Sequence, residues 1–97
     1  MSEEELRKWR AEFHRALGNP VRLEILDFLS EGEQCQCEIL PRIGLSQSTV
    51  SAYLTQLVRA DILKVRRDGV RKLYSLRGPE VRHIINSTRS LAGKRAG

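Results

Sequence analysis

The chain has no apolar run near the roughly 18 residues that a membrane-crossing helix needs, so no membrane-spanning role is expected. Its start, Met1-Ser2-Glu3-Glu4-Glu5, is acidic where a secretory leader would be basic, and the expected location is the cytoplasm. There are only two cysteines, which in a reducing compartment read as thiols rather than as a structural staple. The two histidines, His14 and His83, stand apart, and no set of histidines and carboxylates has zinc-site spacing. A base–nucleophile set and a Gly-rich phosphate loop are both missing, which argues against an enzyme and against a small organic substrate. A thiol oxidoreductase would more often carry Cys-x-x-Cys between a strand and a helix. Internal repeats and low-complexity segments are also lacking.

What remains is one small domain of 97 residues. A core of this size is adequate but not generous, so burial against a second copy would add stability. The net charge is +5, from 17 Lys+Arg against 12 Asp+Glu, and Arg outnumbers Lys thirteen to four. Arginine's planar fork binds two acceptors at once, which suits phosphate and guanine. A mildly basic small domain points toward nucleic acid.

Leu6, Trp9, Phe13 and Leu17 recur at helical steps and predict a helix from about Glu3 to Leu17. Gly18 ends it. Asn19 then caps a second helix with Pro20 at its first position, and Val21, Ile25 and Leu29 form the stripe. A third, short helix is expected from about Cys37 to Ile43. Pro41 removes a backbone donor and would clash with the carbonyl of Cys37, so the helix should begin at or just before that cysteine. Gly44 closes it.

Ser46 caps a fourth helix that runs to about Arg59. Val50, Leu54 and Leu57 share a narrow arc, and Ser48, Ser51, Ala52, Thr55 and Gln56 face away from it. That polar face holds no charge, unlike an ordinary solvated helix. It suits entry into a DNA major groove, with Gln47, Ser48, Thr49 and Ser51 near base edges and phosphates and Tyr53 on the flank.

Two alternating runs, Leu63–Arg67 and Val70–Leu76, flank Asp68-Gly69, a two-residue hairpin signal. Arg66, Arg67, Arg71 and Lys72 lie near its tip and are the expected phosphate contacts. A charged edge strand that resists aggregation reads the same way. Gly78-Pro79 opens a last helix to about Ala92, striped by Val81, Ile84, Ile85, Thr88 and Leu91; residues 93–97 are expected to be a flexible tail after a domain of residues 1–92. The fold class is therefore mainly α with a β-hairpin wing: a winged helix-turn-helix, ααααββα. The first and last helices carry stripes that the central helices do not need, so they are expected to pair in a homodimer.

Cys35-Gln36-Cys37 is the one reactive cluster. A helix N-terminus favours thiolate, and thiolates select soft metals and metalloids. On a regular helix, residues two apart point about 200° from each other, so joint binding of one ion, or an intrachain disulfide, would need the helix start to unwind. Metal or metalloid sensing, thiol redox sensing and plain burial of the cysteines all stay open at this point.

These segments together resemble the ArsR/SmtB family of bacterial and archaeal transcriptional repressors, over about Phe13 to Leu76. Ala16-Leu17-Gly18-Asn19-Pro20-Val21-Arg22-Leu23-Glu24-Ile25-Leu26 is similar to the family's opening stretch. Glu33-Gln34-Cys35-Gln36-Cys37-Glu38-Ile39 is similar to its metal-binding box, and Leu45–Ser51 to its recognition helix. The resemblance implies a homodimeric repressor of a double-stranded DNA operator. It implies release by As(III)/Sb(III) or a soft metal ion at Cys35 and Cys37. Several positions depart from the family pattern: Leu40 replaces a frequent third cysteine, Ala52-Tyr53 replaces a His-His pair, and His83 lacks the partners of a last-helix metal site. A thiol-based redox regulator of the same fold, and a DNA-binding protein without any ligand, are the alternatives.

Overall fold

The computed structural model covers residues 1–97. Its elements run α1 (Glu3–Leu17), α2 (Pro20–Leu29), β1 (Gln34–Cys35), α3 (Gln36–Ile43), α4 (Gln47–Arg59), β2 (Leu63–Asp68), β3 (Arg71–Leu76) and α5 (Pro79–Ala96). The helix starts are set by local chemistry. The Ser2 hydroxyl and the Glu5 carboxylate form a reciprocal box at α1. The Asn19 side-chain oxygen accepts the N–H groups of Val21 and Arg22 at 2.9 and 3.0 Å, just ahead of Pro20. Gly44, at φ 75°, closes α3 in the left-handed conformation that glycine adopts without steric cost, and the chain turns straight into α4.

The core lies where α2, α3 and α4 meet the sheet. Ile25, Leu26 and Leu29 of α2, Ile39 of α3, and Val50, Leu54 and Leu57 of α4 are all fully buried, as are Ile62 and Leu63. The arc expected of Val50, Leu54 and Leu57 thus faces inward, which turns the uncharged polar face of α4 outward. Burial of each such aliphatic side chain contributes about 1.5–3 kcal/mol. Phe13 anchors α1, and Val81 and Ile85 anchor α5, to this cluster.

Three features correct the sequence reading. First, the sheet has three strands in the order β1-β3-β2, not two: Gln34 pairs with Tyr74 and Cys35 with Leu73. A two-residue strand is too short to leave a periodic signal. Second, Asp68 belongs to β2 and pairs with Arg71, so the turn is Gly69-Val70. Gly69, at φ 64°, takes the first turn position, and Val70 is 96% exposed at the tip. Third, α5 runs to Ala96, so residues expected to form a flexible tail continue the helix.

Candidate functional site

The exposed polar face of α4, the expected DNA-reading surface, follows from the packing of that helix. Gln47 and Ser48 are exposed at its start, and Thr49 and Ser51 are half-buried. The Ser46 hydroxyl accepts the Thr49 N–H at 3.3 Å and donates to the Thr49 hydroxyl at 2.8 Å, so Thr49 belongs partly to the cap. Tyr53 is half-buried on the flank against the core, with the Arg22 guanidinium 5.4 Å from its ring centre. Arg22 also donates to Gln56 Oε1 at 2.9 Å and to the Ala16 carbonyl at 2.7 Å, which joins the far end of α4 to the α1–α2 turn.

The wing sorts its cations by strand alternation. Arg67 stands opposite Lys72 on the same face as Tyr74, and the two line a cleft of about 500 Å³ with Thr55 and Arg59 of α4. Arg66 and Arg71 project from the other face toward the cysteine loop. Arg66 is bound to Glu33 by two hydrogen bonds, and Arg71 Nη2 lies 3.6 Å from Glu38. The Arg66 bond and charge hold the Glu33 carboxyl below the ordinary carboxylate range and raise the Arg66 guanidinium further. The four cations expected to form one phosphate-binding set are therefore two free ones, Arg67 and Lys72, and two paired with acids.

Cys35 and Cys37 sit at the N-terminus of α3, as Pro41 required, and are joined by a disulfide with their Cα atoms 5.1 Å apart. This corrects the expectation that their side chains diverge. Cys35 is not helical: it is the N-cap, extended at φ −71° and ψ 148° and paired into β1. The helical 200° separation does not apply, and both sulfurs point to one place without unwinding the helix. Cys35 Sγ accepts the Cys37 N–H at 3.0 Å, while Glu38 accepts the Cys35 N–H at 3.0 Å. This is a capping box with sulfur in the serine position.

The cysteines, the Glu38 carboxylate, the start of α4 and the wing tip share one neighbourhood. Cys35 Sγ, Cys37 Sγ and a Glu38 oxygen lie within 4.8 Å of one another. A cleft of about 480 Å³ runs from Cys35 and Cys37 to Gln47 and Ser51 of α4 and to Arg71 and Lys72 of the wing. Gln36, between the cysteines, donates from Nε2 to Ser51 Oγ at 2.8 Å. Neither the Gln36 contact nor the Glu33 and Glu38 pairings was expected from sequence. They join positions 15 and 33 residues apart, and no local pattern marks them.

A basic wing beside a capped helix whose exposed side chains are mostly polar and all uncharged as far as Arg59 in its last turn defines a winged helix-turn-helix DNA-binding domain. The family model described as "Bacterial regulatory protein, arsR family" matches residues 19–65. A probable mercury resistance operon repressor from Streptomyces lividans is 38% identical over 86 residues, covering 89% of this chain and 69% of that one. An arsenical resistance operon repressor from Staphylococcus xylosus is 40% identical over 62 residues, 64% of this chain and 60% of that one. Among solved structures, the homodimeric winged helix-turn-helix domain of a possible ArsR-family regulator from Mycobacterium bovis superposes with a TM-score of 0.90. It is 30% identical, and the match covers 99% of this chain and 91% of that one. The chain belongs to the ArsR family of DNA-binding transcriptional regulators, and it is not an enzyme.

Proposed function

We propose that this chain is a homodimeric repressor that holds a double-stranded operator and releases it when a thiophilic effector engages Cys35 and Cys37. The effector class is As(III)/Sb(III) or a soft metal ion. The observation that carries this reading is the convergence of both sulfurs on one point, in a cleft walled by the recognition helix and the wing tip. Gln47, Ser48, Thr49 and Ser51 read base edges or the adjoining phosphates, with Tyr53 on the flank. Arg67 and Lys72 hold phosphate on the α4 side of the wing, and Arg71 does so from the side of the cysteine loop, where Arg66 contributes less because Glu33 holds it. Relatives named for arsenical and mercury resistance fit this donor set.

The donors suit such an ion. Two sulfurs, freed as thiols on reduction, are soft ligands at a helix N-terminus, and each would give up its proton on binding such an ion. The Glu38 carboxylate lies within reach as a third, harder donor. A bound ion supplies bonds to both sulfurs. The chain supplies the rest: a fixed N-cap, a capping carboxylate and direct contacts to α4 and β3. Dimerisation rests on α1 and α5, where Leu6 and Trp9 stay 43% exposed and Leu91 60% exposed. No helix is long and apolar enough to cross a membrane, in keeping with action on DNA in the cytoplasm.

Replacing Cys37 by Ser tests the sensor. The variant should bind DNA as the wild type does and lose release by arsenite; normal release would overturn the assignment.

The disulfide favours a second reading, in which the pair responds to oxidants. Two thiols would pass two electrons and two protons to a low-molecular-weight disulfide, which leaves as two thiols. Its mark is a loss of two hydrogens per chain that coincides with a change in operator affinity.

A further inference from the structure

We infer that Gln36 is the positioning residue that carries the state of the cysteine pair to the DNA-reading helix. This deepens the proposed function and rests on its placing of the sensor at Cys35 and Cys37. Gln36 is the first residue of α3 and lies between the two cysteines, so its backbone is held on both sides by residues whose sulfurs are tied together. Its side chain crosses to α4 and donates to Ser51 Oγ at 2.8 Å in a partly buried contact. Ser51 is one helical turn after Gln47, and both line the cleft that also holds the cysteines.

The geometry gives the coupling a direction. Sulfurs bonded to each other, sulfurs bridged by an ion and two free thiols set different separations between Cys35 and Cys37. The torsions around Gln36 must follow, because Cys35 is pinned on one side by its pairing with Leu73 and Cys37 lies inside the helix on the other. Ile39 is fully buried, so α3 cannot slide as a body to absorb the change. The Gln36 side chain is then what moves, and Ser51 gains or loses its donor. With the bond made, one acceptor site of the Ser51 hydroxyl is occupied by Gln36; with it broken, the hydroxyl is free to turn toward a base or a phosphate.

The test uses the full-length protein labelled with ¹⁵N, prepared as dithiol and, with diamide, as disulfide. In the wild type the Ser51 amide resonance should differ between the two states. In Gln36→Ala that difference should fall to a third or less. In Gln36→Glu, whose carboxylate accepts the Ser51 hydroxyl proton, it should return. The ratio of operator affinities between the two states should follow the same order, with about a two- to tenfold loss in Gln36→Ala, the size of one net hydrogen bond. A Ser51 response that is as large in Gln36→Ala as in the wild type, or absent from the wild type, overturns the inference. If Ser51 responds through Gln36 while operator affinity ignores diamide and arsenite alike, the coupling stands and the sensor reading fails.

Discussion

Arg66 grips both oxygens of the Glu33 carboxylate, with Nε 2.9 Å from one and Nη2 2.8 Å from the other. The fork joins the loop ahead of the cysteines to the second strand of the sheet. Together with Arg71 beside Glu38, it ties one face of the wing to the cysteine loop, Arg66 firmly and Arg71 loosely, while Arg67 and Lys72 on the other face have no acidic partner.

The salt dependence of DNA binding should reveal this division. Removal of one phosphate-contacting cation lowers the slope of log affinity against log salt by about one. Lys72→Ala and Arg67→Ala should each show that loss. Arg71→Ala should show it too, because its 3.6 Å contact with Glu38 is loose enough to yield to a phosphate. Arg66→Ala should show less than half as much. Equal slopes for Arg66 and Lys72 variants would contradict the division.

Acid should weaken the Glu33–Arg66 link in a defined direction. Arg66 holds the Glu33 carboxyl lower in the fold than in the unfolded chain. Such a group adds stability that is present above its unfolded value and lost as pH falls through its depressed folded value. Urea unfolding of the wild type and of Glu33→Gln should therefore converge toward acid pH and separate, with the wild type more stable, near neutrality. Parallel curves across that range would show that the link contributes nothing.

Ile39 fastens α3 into the core and is fully buried. Its replacement by Ala should cost about 2–5 kcal/mol in denaturant unfolding. A loss below about 1 kcal/mol would mean that α3 sits loosely and could shift as a body.

The uncovered stripes of α1 and α5 should report on dimerisation. Leu91→Glu places charge on a residue 60% exposed in the single chain. Sedimentation should then show a shift from dimer toward monomer, with helical content kept. A variant that sediments as the wild type does would remove α5 from the interface.

The sequence disclosed these elements unevenly, for physical reasons. The extents of α1 and α4 were legible in their apolar spacing, in Gly18 after α1 and in the Ser46 cap of α4, because all of these are local signals; the Ser2 cap of α1 was not read. The hairpin was legible but its turn was misplaced by one residue, since Asp68-Gly69 and Gly69-Val70 both put glycine where φ is positive. Cys35 was misjudged because its extended backbone depends on pairing with Leu73, 38 positions later in the chain. Assigned to a helix, its sulfur points away from Cys37; paired into a strand, it points toward it. The contacts of Gln36, Glu33 and Glu38 are products of that same pairing.

The most direct measurement is fluorescence anisotropy of the reduced protein on its own promoter fragment, titrated with arsenite without oxygen. Tight binding followed by release at one arsenite per sensor site is the expected result. Specific binding that neither arsenite nor the soft divalent metals disturb would contradict the thiophilic sensor and leave the oxidant reading.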